Sequence, residues 1–389
     1  MSHQDWRSPE LRSLRATATE FVRREVFPHQ DEWERVGELP RELSRTAGQL
    51  GLLGVGFPET AGGGGAGQRE AVTVCESFHE AGAAGGVYAS LFTAGIACPH
   101  IVAAGDQGQI DRWVWPALAG EAIGSLAITE PSGGSDVGAL RTTARRDGDE
   151  YVVNGSKTFI TSGCRADFVT TAVRTGGADL PGARGISLLV IERGTPGFEV
   201  SRKLDKMGWR SSDTAELSFT DARVPASQLV GAENTGFALI GTAFLSERIA
   251  LAAQAYSQAQ RCLDLAVEWC RLRKTFGEPL IARQSVQDTL TRMAGRIDVA
   301  RTYTHAVVDR YEAGEPVDSL IPQVCFAKNT ASESGEWVAH QAVQLFGGMG
   351  YLAESEIERQ YRDMRILGIG GGTVEILYQL AGRRLGLTS

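Results

Sequence analysis

Residues 151–161 read YVVNGSKTFIT, and this stretch decides the fold class because it places β structure in the middle of an otherwise helical chain. Asn154-Gly155 separates two runs, 151–153 and 157–161, that are rich in β-branched and aromatic residues. An Asn-Gly pair between two such runs is typical of a type I′ hairpin turn. We therefore predict two antiparallel strands joined at Asn154-Gly155.

The residues after this stretch extend the β region. Runs rich in β-branched residues at 168–173, 186–191 and 215–219 predict further strands, and Gly and Asp clusters separate them. Short strands at these intervals predict an antiparallel barrel or sandwich. We place this middle domain at 123–229.

Helical spacing returns on both sides of the β region. Between residues 9 and 122, apolar residues recur at three- and four-residue intervals. The run 237–273 holds no proline and a single glycine, which predicts a long helix buried in a bundle or at a subunit contact. Further helices are predicted at about 285–313 and 318–346, and a last one from about Thr373.

The composition restricts the function classes. The 389 residues include 39 Lys and Arg and 47 Asp and Glu, which gives a net charge of −8. This balance argues against nucleic-acid binding, which needs a positive field. No uninterrupted apolar run reaches the ~18 residues of a membrane-spanning helix. The first ten residues show no signal-peptide pattern, and the six cysteines and six histidines lack metal-binding spacing. We therefore expect a cytoplasmic, metal-free protein with reduced thiols.

The loop at 127–136, AITEPSGGSD, is the first candidate binding segment. Pro131 and two glycines force a loop and leave backbone N–H groups free, while Thr129 and Ser135 add hydroxyls. Such a loop suits a polar planar ring or a pyrophosphate. A simple connection into the β domain explains it equally well.

Two weaker candidates lie in the C-terminal half. Residues 344–351, QLFGGMGY, hold dense glycines after a helix, which permit close approach of a ligand or only a tight turn. Residues 273–277, RKTFG, place an Arg beside a hydroxyl and an aromatic ring, a combination that can hold a phosphate and a ring. A basic pair at a helix end also simply complements the helix dipole.

Glu247 is the candidate for acid–base chemistry. On a helix it shares a face with Ala243, Phe244 and Leu251, so its carboxylate is desolvated on most sides. Desolvation raises the pKa of a Glu above its free value of ~4.3, as a general base requires. The alternative is an ion pair between helices, with Arg248 as one possible partner, and position alone favours that alternative.

Taken together, these segments resemble the acyl-CoA dehydrogenase family of flavoproteins. The resemblance rests on AITEPSGGSD, KTFITSG, KMGWRSSDT, RKTFG, QLFGGMGY and IGGGT, which follow the family's order over almost the whole chain. It implies an α+β multidomain fold with an N-terminal helical domain (1–122), a middle antiparallel β-barrel (123–229) and a C-terminal four-helix bundle (230–389). It also implies one FAD per subunit and a homotetramer built as a dimer of dimers.

The resemblance assigns FAD contacts to three groups of residues. The β domain supplies Ala127, Ile128, Thr129, Gly134, Ser135, Phe159, Ile160 and Thr161, with Thr161 expected near the flavin N5. A second group, expected to reach the FAD of the neighbouring subunit, consists of Arg273, Thr275, Phe276, Gln284, Gln344, Leu345, Phe346, Gly347 and Gly348. Thr373 and Glu375 are expected to close over the cofactor of their own subunit.

The implied reaction is α,β-dehydrogenation of an acyl-CoA thioester to the trans-2-enoyl-CoA. A carboxylate removes the α-proton, the β-hydrogen leaves as hydride to flavin N5, and a backbone N–H matching Gly371 helps to polarise the thioester oxygen. Many relatives carry the catalytic Glu where this chain has Gly371. Long-chain and isovaleryl-type members instead take it from the long helix, directly before an Arg, and Glu247-Arg248 fits that pattern. The implied substrate contacts are Ser135, Arg248 and Gly372.

Three functions stay open at this stage. The first is an acyl-CoA dehydrogenase that passes electrons to an electron-transfer flavoprotein. The second is a carrier-protein-specific dehydrogenase or an acyl thioester oxidase, because Leu245 stands where many relatives have a polar residue that meets the CoA arm. The third is a catalytically silent FAD-binding subunit of a hetero-oligomer.

Overall fold

The N-terminal region of the structure is helical. The computed structural model describes residues 6–177 and 179–387, so the first five and last two residues of the predicted domains, and Ala178, lie outside the described residues. Ser8 caps the first helix by accepting the N–H of Leu11, and Pro9 occupies its first position, where the missing N–H of proline costs nothing. The helices are α1 Pro9–Phe21, α2 Gln30–Val36, α3 Arg41–Gln49, α4 Gln68–Glu80, α5 Gly85–Leu91, α6 Ala94–Ala97, α7 Pro99–Ala104, α8 Gln107–Gln109 and α9 Trp115–Leu118, with π-helical turns at Val22–Val26 and Ile110–Val114.

The middle region is a sheet of eight strands. They are β1 Gly124–Ala127, β2 Thr143–Asp147, β3 Glu150–Thr161, β4 Phe168–Arg174, β5 Ile186–Glu192, β6 Phe198–Lys203, β7 Thr214–Pro225 and β8 Leu229–Val230. The order is β6-β7-β3-β2-β4-β5-β8, with β1 beside β4. All ladders are antiparallel except β1–β4 and a single β2–β4 pair, which are parallel. The strands predicted at 168–173, 186–191 and 215–219 are confirmed.

The predicted hairpin at Asn154-Gly155 is wrong, because β3 runs through both residues. The Asn154 side chain instead bridges to β7, where its Oδ1 accepts the N–H of Asp221 at 2.9 Å across a bulge. Gly155 is needed because a Cβ there would lie 2.5 Å from Thr142 Oγ1. The hairpin turn falls earlier, at Gly148, whose φ is +64°. The Asp-Gly pair at 147–148 is therefore the turn signal that the sequence carries.

The C-terminal region is a bundle of helices, as predicted. It contains α10 Gly236–Leu272, α11 Gln284–Glu312, α12 Val317–Phe346, α13 Glu356–Met364 and α14 Val374–Arg384, with a short β9–β10 hairpin at Lys274–Thr275 and Glu278–Pro279. Contacts of Gly335 with Ala255 and of Phe346 with Trp269 show that α10 and α12 run side by side in the same direction. The order of helices, sheet and helices confirms the predicted fold class, whereas the exact domain borders stay predictions.

Helix α10 is also long and apolar enough to cross a membrane by length and composition alone, with a mean hydropathy of 1.4 in its most apolar window. The bent pair formed by α5 and residues 94–104 passes the same test. Core helices of globular proteins do so as well, and α10 packs against α4, α11 and α12. That no segment spans a membrane remains a prediction.

A buried group of residues, which we call the junction, joins all three regions. Asp363 of α13 accepts the N–H of Gly85 at 2.9 Å and the N–H of Trp209 at 2.6 Å. The loop after β6 is also held by Glu34, which accepts the N–H of Ser211 at 2.9 Å. The KMGWRSSDT motif at 206–214 therefore connects the sheet to both helical regions.

Candidate active site

Glu247 and Gly371 lie at one corner of the bundle, although 124 positions separate them in the chain. Glu247 is on α10, and Gly371 is in the loop before α14. A Cβ added to Gly371 would lie 3.6 Å from Glu247 Oε1 and would overlap the Cδ1 of Leu251. The carboxyl group from α10 thus occupies the space beside the backbone of Gly371, where a side chain cannot fit.

The environment of Glu247 fits the predicted desolvated carboxylate. Burial raises its pKa above the usual value, while the charges of Arg248 and Lys328 act in the opposite direction. Over residues 6–177 and 179–387, no cation lies within salt-bridge distance of it. The alternative of an ion pair with Arg248 is not formed, because the guanidinium stacks on Phe244 at 5.3 Å and its Nε donates to the carbonyl of Gly371 at 3.1 Å.

Two helices hold the loop that contains Gly371. Besides the contact from Arg248, Lys328 Nζ of α12 donates to the carbonyl of Gly372 at 2.9 Å, and Asn329 donates to the carbonyl of Val374 at 2.9 Å. Thr373 caps α14 through its Oγ1. The sequence reasoning missed Lys328 and Asn329. A polar pair inside the apolar stretch of α12 is the signal that could have found them.

The loop at 127–129 lies beside the start of α10. Ile128 is in the same apolar core as Ile240, and Phe244, one turn before Glu247, packs against that core. The strand β3 runs next to the loop, since the N–H of Thr158 donates to the carbonyl of Thr129 at 2.9 Å. The structure therefore brings the first candidate segment close to the helix that carries Glu247.

Glu130 within this loop has a structural role that the sequence reasoning missed. It accepts the N–H groups of Arg141 and Thr142 at 2.7 and 2.8 Å and the ammonium of Lys157 at 2.9 Å. Burial would raise its pKa, but the hydrogen bond from Thr142 and the charge of Lys157 hold the pKa at about 2. Glu130 and Lys157 form a buried ion pair that fixes the loop against β3.

Phe159 is exposed on a strained backbone. Its φ is +61°, its side chain is 68% exposed, and it lies at an irregularity of β3 between Lys157 and Ile160. Ser162 also has a positive φ, of 59°, and its buried Oγ has no partner among the described residues. Bulky residues rarely adopt such angles outside turns and functional sites. An exposed ring and the neighbouring Thr161 hydroxyl are features that a flat polar cofactor would satisfy.

The second group of predicted FAD residues lies far from Glu247 in the same chain. Arg273 follows Glu247 by 26 residues, which corresponds to roughly 39 Å along a helix. Around it, Arg283 donates to Thr275 Oγ1 at 3.0 Å, and Phe276 is 97% exposed with φ at +53°. At this distance, these residues would contact the flavin of a neighbouring subunit rather than that of their own. Such a contact stays a prediction.

The members of that second group cluster together, since Trp269 Nε1 donates to the carbonyl of Leu345 and its ring stacks on Phe346 at 4.8 Å.

Of the remaining predicted residues, Ala127 and Ile160 are buried in the sheet. The exposed ones are Gly134, Ser135, Gln284, Gln344, Gly347, Gly348 and Glu375.

Leu245 faces away from this corner. It is buried in the core of the C-terminal bundle together with Val72 and Cys75. A residue there does not meet the arm of a bound thioester. The lack of a hydrogen-bonding group at Leu245 therefore says nothing about the carrier, and the sequence argument for a carrier protein loses its basis.

Gly371→Ala is expected to lower the free energy of unfolding. The overlap with Leu251 should cost about 1–3 kcal/mol, and a left-handed residue (φ +64°) roughly 1–2 kcal/mol more. Gly370→Ala is the matched control, because its Cβ would meet nothing closer than 3.5 Å. Chemical denaturation of both variants and of Gly371→Ala/Leu251→Ala measures the two contributions. Equal stability of the two single variants would contradict the packing described for this corner.

Three family models match consecutive parts of the chain. They are described as Acyl-CoA dehydrogenase, N-terminal domain (residues 8–121), middle domain (125–222) and C-terminal domain (234–386).

Individual proteins match over almost the full length. The long-chain specific acyl-CoA dehydrogenase, mitochondrial, of Rattus norvegicus is 37% identical over 97% of this chain and 87% of its own. Isovaleryl-CoA dehydrogenase, mitochondrial, of Pongo abelii is 34% identical over 97% and 88%. A crystal structure of a Mycobacterium smegmatis protein assigned to the acyl-CoA dehydrogenases has a TM-score of 0.97 and 67% identity, and covers 99% of this chain and 100% of that one. The two mitochondrial relatives are of the types whose sequence pattern Glu247-Arg248 resembles.

Proposed function

Because this chain belongs to the acyl-CoA dehydrogenase family of FAD-dependent oxidoreductases, we propose that it converts an acyl-CoA thioester to the trans-2-enoyl-CoA with Glu247 as the base. The observation that carries this assignment is the 3.6 Å between Glu247 Oε1 and the Cβ position of Gly371. Gly371 itself carries no side chain, and Glu247 of α10 places its carboxyl group beside that position instead.

The residues present fit FAD. Phe159 offers an exposed ring and Thr161 a hydroxyl, and the loop at 127–129 adds backbone groups beside the start of α10. These residues would hold the flavin, with Thr373 and Glu375 closing the same site. When bound, FAD supplies the acceptor for the hydride that leaves the β-carbon of the substrate.

Glu247 performs the proton transfer. An α-proton beside a thioester is a weak acid, so the base must be more basic than an ordinary carboxylate. Burial provides this by raising the pKa of Glu247. One carboxylate oxygen takes the α-proton, and the electron pair of the broken C–H bond moves toward the thioester carbonyl and the β-carbon.

The Gly371 N–H supports that step as a hydrogen-bond donor to the thioester oxygen. Negative charge develops on this oxygen as the proton leaves, and a donor that is already oriented stabilises it without reorganisation. Arg248 holds the adjacent carbonyl, which restricts the movement of this part of the loop. Substrate contacts at Ser135, Arg248 and Gly372 belong to the same proposal.

The proposal extends to partners and location. An electron-transfer flavoprotein is the proposed electron acceptor, and a homotetramer built as a dimer of dimers is the proposed assembly. The almost fully exposed Phe276 on a strained backbone supports a neighbouring subunit that covers it. The six free cysteines support a reducing, cytoplasmic location.

Anaerobic titration of the purified flavoprotein with straight and branched acyl-CoAs tests the function. At least one acyl-CoA is expected to bleach the flavin and to yield the enoyl-CoA, without rapid oxygen consumption when air is admitted. Fast oxygen uptake would instead identify an oxidase. A flavin that no acyl-CoA reduces would contradict the proposal and favour a carrier-bound substrate or a silent subunit.

A further inference from the structure

Lys328 is fully buried without a carboxylate partner. It lies on α12, its side chain is 0% exposed, and among the residues that the structure describes no acidic group is within salt-bridge distance of it. The charged or titratable groups that face it are Arg248 and Glu247 on α10, Glu336 and Cys325 on α12, and Glu375 on α14. A buried ammonium is unfavourable unless its hydrogen bonds are made, and an apolar side chain of the same size is often at least as stabilising. Stability alone does not explain a lysine at this position.

The hydrogen bond of Lys328 is directed at the turn that contains Gly371. Its Nζ lies 2.9 Å from the carbonyl of Gly372, while Arg248 Nε lies 3.1 Å from the carbonyl of Gly371. Two cations from two different helices thus hold two consecutive carbonyls. Both glycines have positive φ angles, of +64° and +100°, so no regular secondary structure fixes this turn.

We propose that Lys328 is a positioning residue of the dehydrogenation site, which fixes the Gly371–Gly372 turn so that the Gly371 N–H stays oriented toward the thioester oxygen, and which places a positive charge at the corner that holds Glu247. This inference rests on the function proposed above. Lys328 acts through the backbone of Gly372 and through the field at Glu247, and it touches neither the substrate nor the reacting atoms.

The charge of Lys328 changes the pKa of Glu247 in a defined direction. The charge of Lys328 lowers the pKa of Glu247 against the effect of burial. Burial in turn, together with the charge of Arg248, lowers the pKa of Lys328 to about 8. Lys328 is therefore expected to carry its charge below about pH 8, whereas Glu247 is ionised only above its raised pKa. Both parts of the role operate in the pH range where the two conditions overlap.

Two variants separate the hydrogen bond from the charge. Lys328→Met removes both, and Lys328→Gln keeps an uncharged N–H donor on a side chain one atom shorter. Lys328→Met is expected to reduce the flavin about ten-fold more slowly near neutral pH, less than the 10²–10³-fold loss typical of removing an oxyanion donor itself. Its acid limb in the pH–rate profile should shift to higher pH. Lys328→Gln should recover most of the rate at high pH but keep the shifted limb.

Amide hydrogen exchange of the 366–374 segment in the purified flavoprotein provides a readout that is independent of the rate of flavin reduction. Exchange should be faster in Lys328→Met than in the parent and close to the parent in Lys328→Gln. Ser332→Ala is the matched control, because Ser332 donates to the carbonyl of Leu367 from the same face of α12 at 3.0 Å. This variant should leave the rate and the acid limb unchanged.

The possible outcomes distinguish the two proposals. If the parent protein reacts with no acyl-CoA, the proposed function fails before any variant is measured. If the parent reacts and Lys328→Met matches its rate, its acid limb and its amide exchange, the role of Lys328 is overturned. The same conclusion holds if Lys328→Met is less stable but has the parent's rate per folded, flavin-loaded molecule.

Discussion

Glu247→Gln is expected to slow flavin reduction by acyl-CoA about 10³-fold, within the 10²–10⁴-fold range of general-base catalysis. The amide keeps the shape of the carboxylate and can still occupy the space beside Gly371, but it cannot take a proton. Stopped-flow measurement of flavin bleaching under anaerobic conditions gives the rate directly. In the parent, the rate should rise with pH as Glu247 loses its proton, at a pH above the usual carboxylate range because burial raises its pKa.

The thermal stability of Glu247→Gln should not fall together with its rate of flavin reduction. Because the pKa of Glu247 is raised in the folded state, the folded protein binds this proton more tightly than the unfolded chain does. The parent therefore loses stability from this group as the pH rises above the ordinary carboxylate value. Glu247→Gln lacks that loss, so its Tm at neutral pH should equal or exceed the parent's, and the difference should disappear in acid.

Glu268→Gln is the control, since Glu268 is an exposed residue of the same helix. It should keep both the rate and the Tm of the parent. If Glu247→Gln bleached its flavin as fast as the parent with the best acyl-CoA, the assignment of the base would be wrong, whatever the stability of the variant.

Glu130→Gln should lower the free energy of unfolding by about 3–5 kcal/mol, as expected when one partner of a buried ion pair is removed. Lys157 is fully buried, and besides Glu130 its ammonium contacts the carbonyl of Ile128 at 3.0 Å. The variant leaves this charge without a counter-ion and places an amide N–H₂ against the N–H group of either Arg141 or Thr142, which bond to different carboxylate oxygens. Because the loop at 127–129 depends on this pair, the variant should also release FAD more readily.

The effect of Glu130→Gln has a defined pH dependence. The folded-state pKa of Glu130, about 2, is below its ordinary value, so this group stabilises the protein above pH ~4.5 and the contribution is lost as the pH falls toward 2. The stability gap between parent and variant should therefore narrow in acid. Chemical denaturation at several pH values measures it.

Two further variants test the explanation. Adding Lys157→Met to Glu130→Gln should recover part of the lost stability, because the unpaired charge is removed. Glu216→Gln breaks an exposed ion pair with Arg202 in the same sheet and should change stability by less than about 1 kcal/mol. Equal effects of Glu130→Gln and Glu216→Gln would contradict the role given to the buried pair.

Periodicity in the sequence predicted the long elements well and the local turns less well. Helix α10 follows from a long, largely apolar run without proline, which predicts a long helix with apolar contacts on most sides. The Asn154-Gly155 turn was predicted wrongly because the local signal does not show that the Asn side chain bonds to a strand more than sixty residues away. The correct turn at Gly148 carried the same kind of signal.

The composition of the site was harder to predict than the fold. That Glu247 lies beside Gly371 depends on how α10 packs against the loop before α14, which neither segment reveals alone. The family resemblance supplied this pairing, and it also pointed to Phe159 and Phe276, although nothing in their sequence context shows their positive φ angles. Lys328 and Glu130 were missed because a single charged residue in an apolar or loop segment is ordinarily read as solvated.

The junction around Asp363 has a consequence for protein engineering. Gly85 and Trp209 each donate a backbone N–H to a carboxylate that another region supplies. A recombinant hybrid that took its first hundred residues from a relative would therefore take Glu34 and Gly85 from one parent and Trp209, Ser211 and Asp363 from the other. Such hybrids should be designed with Glu34, Gly85, Trp209, Ser211 and Asp363 transferred as a unit. Crossover points chosen only at the ends of helices would separate them.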